Sequence, residues 1–139
     1  MNITTVVAYI NIIRAIHHAP PVIPTAKLNW AAGNWSEHMA KTNKFDHSPY
    51  PYGENIAYIP INQNYTAGAI AAVNMFYAEK SAWLASNKTP NSAGHFTQLV
   101  WKSTRYIGIG IASNKKNMYI SFEFDPAGNV WGQYVANVG

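Results

Sequence analysis

The sequence contains no cysteine, which excludes disulfide scaffolds, thiolate zinc fingers, iron-sulfur sites and thiol catalysis. Charge is scarce: Asp, Glu, Lys and Arg make up 12 % of the residues, against about 25 % in an average globular chain. Long apolar runs are missing too. The longest, Val6–Ile10 and Ala69–Val73, are five residues each, far short of the ~20 that a membrane-spanning helix requires. Ten Lys and Arg against six Asp and Glu give a net charge of +4, yet the longest basic run is Lys115-Lys116. A nucleic-acid groove needs clustered cations, so no nucleic-acid partner is expected. There is no H-E-x-x-H, G-x-S-x-G or G-x-x-x-x-G-K-[ST], so zincin, serine-hydrolase and P-loop chemistry find no support.

What the 139 residues do contain is 48 % hydrophobic and 14 % aromatic side chains, enough for one globular domain spanning 1–139. Val6, Ile10, Ile13 and His17 recur at helical spacing, with Thr4 or Thr5 as N-cap and Pro20-Pro21 as the stop. A second helix fits Ala26 to Lys41, with Leu28, Ala31, Ala32, Trp35 and Met39 as its apolar stripe. Loops at Asp46–Gly53 and Pro60–Gly68 surround a short strand, Glu54–Ile59. Ala67–Trp83 reads as a third helix on Ile70, Val73 and Tyr77, and Ser86–Gly94 breaks it. The period then falls to two, predicting strands at Phe96–Trp101, Tyr106–Ala112 and Met118–Phe124, with a hairpin loop at Ser113–Asn117. Helices that mostly precede strands, without βαβ alternation, argue for an α+β fold with an antiparallel sheet covered by helices.

The N-terminus lacks an early positive charge, and Asn11 and Arg14 interrupt its apolar stretch. It reads as structure rather than as a secretion leader, and with the missing cysteines this favours an intracellular setting. N-x-S/T triplets at Asn2, Asn34 and Asn64 then read as chance matches. His17 and His18 at a helix end, and His38 off the apolar stripe, read as surface residues. His47 and His95 differ. Each lies in a loop beside small or rigid residues, in Asp46-His47-Ser48-Pro49 and Ala93-Gly94-His95-Phe96, and scaffold-held loops are where sites form. Glu54 opens a strand and Glu79 lies close to the apolar side of a helix, where a carboxylate needs a partner.

Gly94-His95-Phe96-Thr97-Gln98-Leu99-Val100-Trp101-Lys102-Ser103-Thr104 closely resembles the signature of the CAP superfamily, the cysteine-rich secretory proteins, antigen 5 and plant pathogenesis-related proteins. Tyr52-Gly53-Glu54-Asn55-Ile56-Ala57 resembles that family's G-E-N-[LI]-A element, and Phe124-Asp125-Pro126-Ala127-Gly128-Asn129 its second signature. Asn11 and Arg14 fit the H-N-x-x-R of its first helix, and the closing Tyr134-Val135-Ala136-Asn137-Val138 resembles fungal members. The resemblance covers nearly the whole chain, as a cysteine-free member similar to the fungal and Golgi-associated plant pathogenesis-related types. The departures are Ile10 for His, Phe124 for Tyr, and Ile109 and Phe122 at positions often held by cysteine, where apolar side chains keep the core volume without a disulfide.

The resemblance implies a three-layer α-β-α sandwich whose cleft carries His47, Glu54, Glu79 and His95. His47 and His95 are the expected metal ligands, with zinc or another divalent cation as cofactor. Glu54 and Glu79 would orient the imidazoles, hold metal-bound water or ligate. Without metal, two His–Glu pairs satisfy the same groups, and the sequence leaves both outcomes open. The resemblance further implies a lipid or sterol ligand, for which Tyr50, Tyr52, Tyr58 and Tyr65 supply apolar material. The family members are commonly secreted and show no common reaction, so a non-enzymatic binding protein is expected. A metal-dependent hydrolase or peptidase using Glu54 or Glu79 as base, and a protein- or polysaccharide-binding module, stand as alternatives.

Overall fold

Helix α1 runs from Ile3 to Ile16, and its N-cap is Asn2, whose side chain accepts from the Thr5 backbone N–H. This corrects the expected threonine cap: the carbonyl oxygen of an Asn side chain satisfies the same orphan donor. Asn64 caps helix α3 (Tyr65–Ala78) in the same way through the Ala67 N–H at 2.8 Å. The Asn34 amide donates to the Tyr50 hydroxyl at 3.0 Å, so all three triplet asparagines are structurally engaged. Helix α2 (Ala26–Thr42) starts at a Thr25 cap and ends at Asn43 in the left-handed region, φ 56°. The computed structural model describes residues 1–61, 64–90 and 92–139. Within the expected loops Pro60–Gly68 and Ser86–Gly94, positions 62, 63 and 91 lie outside the described residues.

The sheet has the order β1-β3-β4-β2, from β1 (Ile23–Pro24), β2 (Gly53–Pro60), β3 (Tyr106–Ser113) and β4 (Asn117–Asp125). The β2–β4 and β3–β4 pairings are antiparallel, and the two-residue β1 joins parallel to β3 at one edge. Helix α2 covers one face and α1 with α3 the other, giving the α-β-α sandwich. Met118, Ile120, Phe122 and Phe124 are wholly buried and belong to the main core with Val6, Ile10, Val73 and Phe76. On the α2 side, Tyr119 packs with Met39, Ala40 and Ile56. Ile109 and Phe122 are direct register partners, both buried, so two apolar side chains meet across the strands where the resemblance would place thiols.

Two expectations are overturned. Phe96–Trp101 is not a strand: Gly94–Leu99 forms helix α5. Its alternating β-branched and aromatic residues fit a strand, but the Glu79 carboxylate accepts from the backbone N–H groups of His95 and Phe96 at 3.0 and 3.2 Å and holds the first turn helical. Nor is the third helix continuous to Trp83. It breaks at Glu79, and helix α4 (Lys80–Ala85) follows.

Arg14 is fully buried without a carboxylate partner. Its guanidinium donates instead to the carbonyl oxygens of Pro20, Leu99, Trp101 and Thr104 at 2.8–3.0 Å. The planar fork thereby ties α1 to the chain that leaves α5. Burial lowers its pKa to about 10, so it stays charged at neutral pH.

Candidate functional site

The structure forms two His–Glu pairs at the edge strand β2. In the first, His47, in the loop after α2, places Nδ1 2.7 Å from Glu54 Oε1. The same oxygen accepts from the Ser48 N–H at 2.9 Å, and Glu54 Oε2 accepts from the Ser48 hydroxyl at 2.5 Å. Glu54 itself is the second residue of β2. In the second pair, His95 at the start of α5 places Nδ1 2.7 Å from Glu79 Oε2, while Glu79 Oε1 caps the helix. Phe76 stacks flat on the His95 ring at 4.9 Å, fixing its plane.

Exposure separates acids from rings. The His47 and His95 side chains are 65 % and 39 % exposed, against 6 % and 25 % for Glu54 and Glu79. Each carboxylate therefore sits behind its imidazole. With Nδ1 held by the carboxylate, each Nε2 is left without a hydrogen-bond partner among the described residues. A carboxylate accepting from the far ring nitrogen in this way orients an imidazole and raises its basicity, which makes it a better metal ligand. Among the described residues no group of three or more His, Cys, Asp or Glu is arranged to hold a metal ion. A metal here would take protein nitrogen from the two imidazoles and its other ligands from solvent or an anion.

The pairs line separate hollows. His47, Ser48, Tyr50, Tyr52 and Glu54 line one of about 400 Å³, and Phe45, Tyr58, Met75, Glu79 and His95 line another of about 410 Å³. No hydrogen bond or ion pair joins them directly among the described residues. The link is Asn55, whose amide donates to the His95 carbonyl oxygen at 3.0 Å. Of the tyrosines named above, Tyr65 lies apart, its hydroxyl bonded to Ser113. His38 is exposed and stacks on Trp35. His17 is not a free surface residue: it bridges the Gly139 carbonyl oxygen and the Tyr77 hydroxyl at 2.8 and 2.9 Å.

Sequence reasoning missed Glu123. It is fully buried on β4, directly opposite Glu54 in the strand register. Burial pushes Glu54 up, but hydrogen bonds from Glu123, Ser48 and His47 outweigh it and hold Glu54 below the usual carboxylate range. Glu123 is pushed up to about 10, first by burial and then by the hydrogen bond with Glu54 and the Glu54 charge. The available signal was a lone acid inside the apolar run Met118–Phe124, where a carboxyl group must find a partner.

The α-β-α sandwich is the fold of the CAP class, and the chain belongs to it: the model of the cysteine-rich secretory protein (CAP) family matches residues 7–135. The chain is 34 % identical to protein PRY2 of Saccharomyces cerevisiae over 144 residues, covering 97 % of this chain and 40 % of that protein. It therefore spans well under half of that relative's length. It is 33 % identical to the Golgi-associated plant pathogenesis-related protein 1 of Homo sapiens over 123 residues, 84 % of this chain and 77 % of that one. Among solved structures it resembles BmVAL-1, with TM-score 0.74, 21 % identity and coverage of 91 % of this chain and 77 % of that one. It also resembles NaASP2 with Zn²⁺, with TM-score 0.64, 21 % identity and coverage of 81 % and 63 %. The relatives include a Golgi-associated protein, and the expectation of an intracellular setting does not follow from the absence of cysteine, which assigns no compartment.

Proposed function

We propose that the protein binds a divalent cation, zinc first, through His47 and His95, and carries a hydrophobic or lipid ligand such as a sterol or fatty acid without catalysing a reaction. The observation that supports the metal is the matched pair of imidazoles, each with Nδ1 on a carboxylate at 2.7 Å and Nε2 turned to neither pair's acid. NaASP2, a structural neighbour, is described with Zn²⁺, which makes zinc the first cation to test. Bound zinc would supply Lewis-acid chemistry, with His47 and His95 as the side chains that would hold it. The apolar hollow beside His95, with Phe45, Tyr58 and Met75 all partly open to solvent, supports the lipid half of the reading.

Glu54 argues against its use as a general base. A carboxylate offers about four lone-pair sites, and three of those of Glu54 meet the His47 ring, the Ser48 N–H and the Ser48 hydroxyl. An acceptor so engaged orients its histidine and leaves little capacity for a water proton.

Calorimetric titration of zinc into the wild type and into a His47→Ala/His95→Ala double variant tests the metal. Binding heat in the wild type that vanishes in the double variant is expected, and equal heats in both would refute it. Mass spectrometry of organic extracts from the purified protein tests the carrier role; apolar ligands that co-purify and exchange are expected, and none would remove it.

A further inference from the structure

We propose that Glu123 is a positioning residue of the cleft: as a neutral carboxylic acid it donates a hydrogen bond to the Glu54 carboxylate and so fixes the acid that orients His47. Register brings the two together, because Glu54 on β2 stands directly opposite Glu123 on β4. Two ionised carboxylates at such a cross-strand position repel, and Glu123 is fully buried, where an unpaired charge is costly. Among the described residues the ion pairs are His47–Glu54 and His95–Glu79, so no cation offsets a second negative charge.

The donors around Glu123 point the same way. Among the described residues its Oε2 is a buried side-chain oxygen with no hydrogen-bond partner. Among them its Oε1 meets the Ser48 hydroxyl alone, at 3.5 Å, and the single proton of that hydroxyl already goes to Glu54 Oε2 at 2.5 Å. An ionised Glu123 would thus be an acceptor without donors. A protonated one becomes a donor, and the Glu54 carboxylate directly opposite it in the strand register is the charged acceptor, beside the neutral Ser48 hydroxyl oxygen at 3.5 Å. With that bond the Glu54 carboxylate is held by His47, Ser48 and Glu123 together, its Oε1 is kept toward His47 Nδ1, and the neutral ring is held as the Nδ1–H tautomer. Only that tautomer presents a lone pair at Nε2 to a cation.

The claim rests on the metal reading above for its last arm alone. Infrared difference spectra of wild type against Glu123→Gln at neutral pH should show the C=O stretch of a protonated carboxyl in the wild type only. Nitrogen-15 shifts of the His47 ring should report the Nδ1–H tautomer in the wild type and in Glu123→Gln, whose amide still donates to Glu54, and a mixture of tautomers in Glu123→Leu, which keeps the volume without a donor. Zinc alone, titrated calorimetrically, should bind Glu123→Leu about tenfold more weakly than the wild type and Glu123→Gln within about twofold of it. A wild type without the protonated-carboxyl band, a Glu123→Gln ring as disordered as that of Glu123→Leu, or one tautomer in all three proteins would overturn the proposal. Zinc that fails to bind the wild type overturns the metal reading instead and leaves the infrared and tautomer measurements to decide the role of Glu123.

Discussion

The side-chain amide of Asn55 donates to the backbone carbonyl oxygen of His95 at 3.0 Å, and Asn55 is 2 % exposed. Glu54 and Asn55 are consecutive on β2, so their side chains leave the strand on opposite faces. Glu54 meets Glu123 and His47 on one face, and Asn55 reaches the His95 segment on the other. One residue therefore couples the strand that carries the first His–Glu pair to the helix that carries the second. Replacing Asn55 with Leu leaves the His95 carbonyl oxygen without its donor at a buried position, which is expected to cost about 1–2 kcal/mol in urea denaturation. The same substitution should weaken zinc binding, because the two imidazoles lose their common anchor. Unchanged stability together with unchanged zinc affinity would show that the pairs are positioned independently.

Arg14 tests how much of the fold hangs on one buried cation. Its guanidinium satisfies the carbonyl oxygens of Pro20, Leu99, Trp101 and Thr104, of which Leu99 ends α5 and Trp101 and Thr104 follow it. Arg14→Met keeps much of the volume and leaves those acceptors unpaired, an expected loss of roughly 3 kcal/mol or more. Arg14→Lys should recover only part of it, since a point-charge ammonium cannot span the acceptors of a planar fork. Chemical denaturation of the three proteins decides; a lysine variant as stable as the wild type would show that charge alone suffices.

Where local chemistry decided the structure, the sequence was readable. The second helix, expected over Ala26 to Lys41 from the stripe Leu28, Ala31, Ala32, Trp35 and Met39, is observed as Ala26–Thr42, and the β3–β4 hairpin follows from its period of two. The cleft histidines were legible because the string around His95 is specific and both rings flank rigid loops. What was not legible depends on long-range partners. The helical state of Phe96–Leu99 is imposed by Glu79, fifteen or more positions away, against the β propensity of the segment itself. Glu123 acquires a role only once register sets it against Glu54; within the stretch Met118–Phe124 it is a single acid among mostly apolar residues. The strand β1 is two residues long, too short for any periodicity to show.

The crossing of α2 over the sheet depends on glycine at two strand positions. A Cβ at Gly110 would lie 2.2 Å from the Gly33 nitrogen, and one at Gly108 would lie 2.1 Å from the Leu28 carbonyl carbon. Both obstacles are helix backbone, which cannot yield as a side chain does. Gly108→Ala and Gly110→Ala are each expected to cost about 3 kcal/mol through overpacking. Gly33 is on the helix itself, and a Cβ there meets nothing within 4 Å. Gly33→Ala should therefore raise stability by roughly 0.5–1 kcal/mol, the ordinary gain of alanine over glycine inside a helix. Thermal denaturation of the three variants checks the contrast, and equal effects at positions 33 and 110 would contradict the close approach.

The carboxyl pair gives stability a pH dependence whose sign follows from the two shifts. Glu123 is raised from its ordinary 4.5 to about 10, by burial first and then by its hydrogen bond with Glu54 and the charge there. Between those values the folded protein keeps a proton that the unfolded chain has released, so the Glu123 contribution falls as pH rises, at a limiting rate of about 1.4 kcal/mol per pH unit. Below the ordinary value both states are protonated and the penalty vanishes. Glu54, held below its ordinary 4.5 by its hydrogen bonds with Glu123, Ser48 and His47, acts in the opposite sense. Its contribution is present above that value and is lost as acid protonates it in the folded state. Glu123→Gln cannot ionise in either state, so urea denaturation at pH 4, 6 and 8 should find it close to the wild type at the lowest pH and progressively more stable than the wild type above it. A stability difference that stays constant across the three pH values would mean that Glu123 is ionised in the folded protein, and that some other group supplies the proton the Glu54 carboxylate accepts.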